Sequence, residues 1–210
     1  MKEIAAVVLA AGKGTRIGQH LPKVLYPLAG KPMLHYIVET LKRVPIDNLN
    51  IVVGFRATDV KASIGEKVKY VFQKEALGTA HALELALGTL PPGTKSVLVI
   101  NGDDSAFYEP STLRSLLDFH RHSKAPISLV SLITENPTGL GRIVRDPQDR
   151  VTKVVEEKEA NAAQQKIKEI NTGCYVFDVG WIKENLAKIS RSSQGEYYLT
   201  DAIEIALNSG

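Results

Sequence analysis

The chain has 210 residues, of which 44% are apolar and 23% are charged, and its formal net charge is +3. These values are typical of a folded protein with one sizeable core, and they exclude a disordered chain. The basic residues form no long run, which argues against a nucleic-acid partner, and the single cysteine, Cys174, excludes an intrachain disulfide.

The first part of the chain alternates between strand and helix patterns. The run Ile4–Ala10 is continuously apolar and stops at a glycine turn, which predicts a strand buried on both faces. Further strands are predicted over 49–54, 68–73, 96–102 and 125–132, with helices over 31–44, 59–65, 78–90 and 110–122. This alternation predicts a doubly wound α/β sheet, in which ligands bind beyond the carboxyl ends of the strands.

The later part has a different pattern. Two strand-like segments flank the turn 147–149 and predict a hairpin, and a further strand is predicted over 169–178. Helices are predicted over the polar segment 159–168 and over 179–189 and 197–209. We expect Cys174 in the core, and His120 and His122 at a solvated helix end rather than at a metal. The short apolar run at the N-terminus is neither a membrane span nor a signal peptide, so we expect a cytoplasmic protein with no membrane partner.

The segment "LAAGKGTRIGQHLPKVL" (Leu9–Leu25) raises the main functional question. A dinucleotide fingerprint is disfavoured because Ile17 occupies the place of its third glycine, and the spacing of a P-loop is absent. Glycines after a strand let backbone N–H groups approach phosphate oxygens. Arg16 can clamp a phosphate bidentately and Lys23 adds a mobile charge, which together form a cationic cradle for a triphosphate. A structural turn remains an alternative for the glycines, although it does not explain the two cations.

Several motifs, in this order, carry a family resemblance: "LAAGKGTR", "LPKVLYPLAGKPML", "ALGTAHAL", "GLGRIVR", "VVEEKEA", "EINTG" and "GEYYLTD". They resemble the pyrophosphorylase domain of bacterial bifunctional N-acetylglucosamine-1-phosphate uridyltransferases, within the sugar nucleotidyltransferase family. The resemblance implies a Rossmann-like doubly wound mixed sheet of the nucleotide-diphospho-sugar transferase type. It also implies one domain over 1–210, with a nucleotide-binding part (1–130), a sugar-binding part (131–210) and no acetyltransferase β-helix.

The resemblance further implies a reaction in which UTP and N-acetylglucosamine 1-phosphate give UDP-N-acetylglucosamine and pyrophosphate, a step of nucleotide-sugar supply for cell wall biogenesis. It assigns catalysis to Arg16, Lys23 and Asp103, with Mg²⁺, or Mn²⁺ instead, on Asp103, whose hard carboxylate suits such a cation. It assigns nucleotide binding to Leu9, Ala10, Ala11, Gly12, Gly14, Arg16, Lys23, Gln73, Gly78, Thr79, Asn101 and Gly102. It assigns sugar binding to Gly141, Glu156 and Asn171.

The sequence also departs from the family pattern. The family's second magnesium ligand is an asparagine further along than Gly210, and the segment "DSAFYEP" places Asp104 beside Asp103. Without the β-helix that drives trimerisation, a monomer or weak dimer is expected. Three other interpretations stay open: a transferase for another sugar 1-phosphate or nucleotide, such as glucose 1-phosphate or dTTP; a nucleotide-sugar-binding domain without turnover; and, more distantly, a hydride-transfer dehydrogenase.

Overall fold

The fold is that of a computed structural model, which describes residues 3–12, 14, 20–103 and 108–209. Arg16 and Asp104 lie outside these residues. The strands are β1 (Ile4–Ala10), β2 (Pro27–Leu28), β3 (Lys31–Pro32), β4 (Asn48–Val53), β5 (Lys69–Phe72), β6 (Ser96–Asn101), β7 (Ile127–Ile133), β8 (Arg142–Arg145), β9 (Val151–Val155) and β10 (Glu169–Asp178). The helices are α1 (Met33–Leu41), α2 (Ala57–Ile64), α3 (Thr79–Leu87), α4 (Pro110–Ser123), α5 (Val179–Asn185) and α6 (Asp201–Asn208).

A parallel half of the sheet holds β5, β4, β1 and β6 in that order. β1 lies between β4 and β6, and its side chains are buried on both faces, as the continuous apolar run predicts. On one face Ala6 and Val8 pack with residues of α1 and α4, and on the other Ala5 and Val7 pack with residues of α3, α5 and α6. The predicted doubly wound architecture is therefore confirmed in this half.

An antiparallel half is built around the ten-residue strand β10. One end of β10 pairs with β6 through Cys174–Asp178, while its other end contacts β8, and β7 runs along its opposite side. The pairing shifts between Asn171 and Tyr175, where Gly173 has a φ of +68° that favours glycine. The predicted hairpin is also confirmed, since β8 and β9 are antiparallel. The result is one mixed sheet, with the parallel strands at one end and the hairpin at the other.

The helix predicted over 159–168 is wrong. Only Gln164–Lys166 forms a short 3₁₀ turn. The side-chain carbonyl of Asn161 accepts hydrogen bonds from the backbone N–H groups of Ala163 and Gln164, at 3.0 and 2.9 Å. Such local side-chain bonds compete with helical ones, and alanine-rich composition alone does not reveal them.

The expectation for His120 is also wrong. Its side chain is buried, and its Nδ1 lies 3.0 Å from the hydroxyl of Ser128 on β7. His120 follows Leu113, Leu116 and Leu117 on the same face of α4, a periodicity that could have predicted its burial. Burial lowers the pKa of His120. His122 is exposed as expected, and Cys174 is buried in the core.

Among the described residues, no helix combines the length and apolar character needed to cross a membrane.

Candidate active site

A cavity of about 540 Å³ opens at the carboxyl edge of the parallel strands and extends over the start of the β8–β9 hairpin. Parallel strands end at a common edge, so the loops after β1, β5 and β6 meet there. The predicted site residues that line it are Leu9, Ala10, Ala11, Gly12, Gly14, Lys23, Gln73, Gly78, Thr79, Asn101, Asp103, Gly141, Glu156 and Asn171. Gly102 is not among the residues that line the cavity, and its backbone N–H donates to the carbonyl of Leu9 at 2.9 Å.

One end of the cavity is charged. Lys23 follows Pro22 at the start of a 3₁₀ turn, and its Nζ forms an ion pair with Oδ2 of Asp103, which follows β6. Both side chains keep part of their surface exposed, at 32% and 21%. Gly14 lies directly over Lys23 with a φ of +63°, and a Cβ at this position would be 2.6 Å from the Cβ of Lys23. Only glycine fits here, which explains the second glycine of the loop in physical terms.

Three of the predicted nucleotide-binding residues, Gln73, Gly78 and Thr79, are held by a network that spans the chain. The side-chain Nε2 of buried Gln73 donates to the carbonyl of Gly78 at 3.1 Å and lies 3.1 Å from Nδ1 of His81. Thr79 Oγ1 accepts a hydrogen bond from the backbone N–H of Leu199 at 2.9 Å. The segment after Gly195 therefore stabilises the loop before α3. Gln73 thus links the end of β5 to the loop before α3 and to α3 itself.

The predicted sugar-binding residues form a row across three neighbouring segments. Arg142 on β8 is opposite Val155 on β9 and Ile170 on β10. In antiparallel pairing, the residue before Arg142 then meets the residues after its two partners, which are Glu156 and Asn171. The contacts agree with this register: the N–H of Asn171 donates to the carbonyl of Gly141 at 2.9 Å. A Cβ built on Gly141 would be 3.5 Å from both Cβ of Asn171 and Oε2 of Glu156. Gly141 thus leaves open space between the two polar side chains.

Glu156 is a mostly buried carboxyl at this end of the cavity. Burial raises its pKa, the carboxylates of Asp201, Glu159 and Glu196 add to the rise, and a hydrogen bond from Thr200 Oγ1 at 3.3 Å opposes it. Its neighbour Glu157 points elsewhere and pairs with Arg142. The two glutamates, which the sequence could not separate on physical grounds, therefore have different environments.

Asn171 uses both ends of its amide within the protein. Its Nδ2 donates to the phenol oxygen of Tyr175 at 2.5 Å, and its Oδ1 accepts from the N–H of Gly173 at 3.2 Å. Burial strongly raises the pKa of Tyr175, so its hydroxyl stays neutral. This satisfies the polar side chain in an otherwise apolar strand and fixes its orientation toward the cavity.

Sequence reasoning missed a further wall of the cavity. Glu196, Tyr198, Leu199 and Thr200 line it from the segment before α6. The motif "GEYYLTD" contains these four residues and is the only signal of them in the sequence. Nothing in its local pattern indicates that it contacts the loop before α3. Two backbone hydrogen bonds bring it there, Tyr197 N–H to Leu77 and Ala80 N–H to Tyr197, at 2.8 and 3.0 Å.

The side chains of the cavity include few of the ligand types that hold a divalent cation. Among residues 3–12, 14, 20–103 and 108–209, no three His, Cys, Asp or Glu side chains group closely enough to hold a metal ion. Mg²⁺, however, is commonly held by one or two carboxylates together with substrate phosphates and waters. Asp103, at the charged end of the cavity beside Asn101, supplies one such carboxylate. The residues present therefore fit a cation that arrives with a nucleotide, and they do not form a cage that binds a metal alone.

A second, larger cleft lies at the opposite edge of the sheet and is rich in lysine and arginine. Its cations include Lys42 and Arg43 just after α1, Arg121 in the last turn of α4, and Lys124 just after it. Helix C-termini carry partial negative charge that such residues neutralise. These four cations are therefore explained by the helix ends beside them, while Lys95 pairs with Glu3, and we assign no ligand to the cleft.

Comparison with known families agrees with this site. The pattern of the nucleotidyl transferase family matches residues 5–210, and the chain belongs to this family.

Among curated proteins, the chain is similar to the bifunctional protein GlmU of Geobacillus sp. (strain WCH70), with 44% identity over 206 residues. It is similarly close to the bifunctional protein GlmU of Lactococcus lactis subsp. cremoris (strain MG1363), with 45% identity over 201 residues. The matches cover 98% and 95% of this chain but only 45% and 44% of these relatives. The chain thus spans about half the length of the curated relatives it matches.

Solved structures support the fold. A UDP-glucose pyrophosphorylase complexed with UDP-glucose superposes with a TM-score of 0.81 at 20% identity, covering 100% of this chain and 88% of that one. A putative glucose-1-phosphate thymidylyltransferase from Bacillus anthracis gives a TM-score of 0.81 at 22% identity, covering 99% and 84%. At such identities the likeness establishes the architecture, which is the mixed sheet expected from the sequence.

Proposed function

We propose that the chain is a sugar-1-phosphate uridylyltransferase that joins UTP and N-acetylglucosamine 1-phosphate, giving UDP-N-acetylglucosamine and pyrophosphate. The observation that carries this proposal is that one cavity contains both groups of predicted site residues. It has the glycine loop and the Lys23–Asp103 pair at one end, and the row Glu156–Gly141–Asn171 at the other. A nucleotide and a sugar phosphate bound there would meet between the two ends. The similarity to GlmU over nearly the whole chain supports the same choice of substrates.

In the proposed reaction a phosphate oxygen of the sugar 1-phosphate attacks the α-phosphorus of UTP. The bond from that phosphorus to the bridging oxygen of the β-phosphate breaks, and pyrophosphate leaves with the electron pair. The attacking oxygen is already anionic near neutral pH, so no protein base is required. Catalysis then depends on positioning and on neutralising charge.

The residues at the nucleotide end have the following roles in this scheme. The backbone of Gly12 and Gly14 approaches phosphate oxygens, and Lys23 neutralises phosphate charge. Arg16, which lies outside the described residues, is assigned the departing pyrophosphate. Gln73, held by Gly78 and His81, faces the base. We assign Mg²⁺ to Asp103, where the cation would neutralise the charge of the phosphates when bound.

The sugar end has groups suited to hydroxyl and acetamido substituents. Asn171 and Glu156 present amide and carboxyl atoms on either side of the space above Gly141. A carboxylate and an amide together can accept from sugar hydroxyls and donate to a carbonyl. The 1–130 and 131–210 parts of the chain would accordingly hold nucleotide and sugar, respectively.

The direct test follows pyrophosphate release from the purified chain with Mg²⁺, UTP and N-acetylglucosamine 1-phosphate. Parallel reactions replace the sugar phosphate by glucose 1-phosphate, or UTP by dTTP. We expect turnover to be fastest with the first pair. Faster turnover with another pair would keep the reaction class and replace the substrate. Binding of UTP measured by calorimetry, with no pyrophosphate from any pair, would contradict the proposal and favour a nucleotide-sugar-binding domain.

A further inference from the structure

Arg142 stands out because its charge is buried outside the cavity that carries the proposed chemistry. Its side chain is 1% exposed, and it is the largest fully buried side chain among the described residues. It is not among the residues that line the cavity. Burying a guanidinium is unfavourable unless it is paired and hydrogen-bonded. The location of its partners therefore indicates what the buried charge is for.

The guanidinium of Arg142 joins three separate segments of the chain. Its Nη1 donates to the carbonyl of Leu140, which lies two residues before β8 begins. Its Nη2 lies 2.7 Å from Oε2 of Glu157 and 3.3 Å from the carbonyl of Gln165. The side chain thus connects the segment before β8, the segment after β9 and the 3₁₀ turn. A planar guanidinium with several donors can serve partners in different directions, which an ammonium group cannot do as well.

Two of these partners are immediate neighbours of proposed sugar-binding residues. Leu140 precedes Gly141, and Glu157 follows Glu156. Through the sheet, Arg142 itself is opposite Val155 and Ile170, which precede Glu156 and Asn171. Arg142 therefore contacts or pairs with a residue adjacent to each member of the row, while touching no space that a substrate would occupy.

A role in global stability alone explains this arrangement poorly. Nε of Arg142 is buried with no hydrogen-bond partner among the described residues. A buried ion pair often contributes little net stability compared with apolar side chains of similar size. An arginine with an unsatisfied N–H is a costly way to fill a core position. Its hydrogen bonds go to the backbone carbonyls of Leu140 and Gln165, and its ion pair goes to Glu157.

We propose that Arg142 is a positioning residue for the sugar 1-phosphate end of the cavity. It holds the loop before Gly141 and the segment after Glu156 at a fixed separation, and so sets the gap that the sugar enters. This proposal rests on the proposed function for its kinetic consequence, but its structural consequence can be measured without turnover.

The experiment compares the wild type with Arg142→Gln, Arg142→Lys and Glu157→Gln. For Arg142→Gln we expect kcat/KM for N-acetylglucosamine 1-phosphate to fall about 10- to 100-fold, as a misplaced substrate group commonly causes. The KM for UTP should change less than about twofold, because the glycine loop and Gln73 lie in the other half. Arg142→Lys should recover part of the loss, since it keeps the charge beside Glu157 but cannot also reach both carbonyls.

The matched control is Arg150→Gln. Arg150 belongs to the same hairpin and also pairs with a carboxylate, Asp146, at 2.7 Å, but it is exposed and contacts no residue of the row. Its variant should leave both KM values unchanged. Equal losses for both substrates in Arg142→Gln, or equal effects of Arg142→Gln and Arg150→Gln, would overturn the proposal.

Hydrogen–deuterium exchange provides the readout that does not need activity. In Arg142→Gln, amide exchange should accelerate over 156–166 and 139–141 while β1 and β6 keep their protection. A uniform increase across the sheet would indicate a stability role and contradict the proposal. If Arg142→Gln does not fold, Glu157→Gln decides by the same two criteria, because it removes one anchor at a partly exposed position. If the wild type shows no turnover, the proposed function fails and the exchange pattern still decides the role of Arg142.

Discussion

The two halves of the cavity are built by different rules. In the parallel half, site residues lie at the ends of β1 and β6 and in the loops that follow β1, β5 and β6, because parallel strands all end at one edge. In the antiparallel half, the proposed sugar residues lie next to strand ends in register, so that Glu156, Gly141 and Asn171 are neighbours across the sheet. Position along a strand suffices to locate the first set, whereas the second depends on which residues pair. We therefore expect a substitution at one end of the cavity to weaken binding of its own substrate more than binding of the other.

Removing Asp103 should have the largest effect. Asp103→Ala eliminates the carboxylate assigned to Mg²⁺ and leaves Lys23 without its partner. We expect pyrophosphate release to fall by at least about 10²–10³-fold, as is usual when a group that stabilises transition-state charge is lost. Initial rates at saturating UTP and sugar phosphate measure this. Activity near the wild-type level, in a variant that folds, would remove Asp103 from the mechanism. The same loss is predicted for Arg16→Ala.

A methyl group between Glu156 and Asn171 should distinguish most clearly between the sugar end and the nucleotide end of the cavity. Gly141→Ala places a methyl group 3.5 Å from Asn171 and Glu156, an ordinary contact distance that the fold can accept. The methyl occupies space assigned to the sugar, so KM for N-acetylglucosamine 1-phosphate should rise about tenfold or more, while KM for UTP stays within about twofold. Gly139→Ala cannot serve as a control, because Gly139 has a φ of +83° and an alanine there would strain the backbone. Equal increases of both KM values would show that the halves are not independent.

The buried carboxyl of Glu156 predicts a conflict between stability and binding. Because its pKa is raised in the folded state, the native protein binds more protons than the unfolded chain between the unfolded pKa and the raised one. As the pH rises from the unfolded pKa to the raised folded pKa, ionisation of Glu156 lowers the free energy of unfolding. Above the folded pKa this loss of stability is complete. Glu156→Gln should raise the melting temperature at pH 7.5 and lose this advantage below about pH 4.5, where both states are protonated. A shift of 1 kcal/mol corresponds to about 2–4 °C for a chain of this size.

The same variant should bind the sugar phosphate more weakly, since the amide keeps one acceptor oxygen where the carboxylate has two, and it carries no charge. Thermal unfolding at several pH values, combined with KM for the sugar phosphate, tests both consequences. A melting temperature at pH 7.5 that falls below that of the wild type would contradict the assignment of a destabilising carboxylate.

A substitution of His120 should have the smallest effect, which is on the pH dependence of stability, and should leave the cavity unchanged. Burial lowers its pKa, so the unfolded chain binds more protons than the native protein as pH falls below about 6.5. Stability is lost in that window as the pH approaches the depressed pKa. His120→Gln, which can still reach Ser128, should reduce the loss between pH 7.5 and 5.5. Kinetic constants at pH 7.5 should equal those of the wild type. An unchanged pH dependence of the melting temperature would contradict this account of His120.

The sequence predicts the parallel half well because its signals are local. Continuous apolar runs that stop at glycine define β1 and β6, and the spacing of Leu34, Ile37, Val38 and Leu41 defines the buried face of α1. The charged end of the cavity follows, since Asp103 lies just beyond β6 and Lys23 belongs to the glycine loop after β1. The sequence predicts that the backbone of Gly14 faces phosphate, and the structure adds a steric reason for glycine, its close approach to Lys23.

The antiparallel half is less accessible to the same reasoning. Glu156 and Glu157 are indistinguishable in a polar stretch, and only pairing with β8 turns one to the cavity and the other to Arg142. The wall formed by Tyr198 and Thr200 depends on hydrogen bonds with Leu77 and Thr79, more than 100 residues away. Local patterns contain no information about such long-range contacts. Family resemblance supplied Gly141, Glu156 and Asn171, and the register gives a physical reason why they belong together.

The most direct test of the central claim is a crystal structure of this chain with UDP-N-acetylglucosamine and Mg²⁺. The account predicts the sugar within hydrogen-bonding distance of Glu156, Asn171 and the backbone of Gly141. It predicts the diphosphate beside Gly12, Gly14 and Lys23, and the uracil near Gln73. A nucleotide sugar bound in the basic cleft at the opposite edge of the sheet, or bound in this cavity with the sugar away from the row, would contradict it.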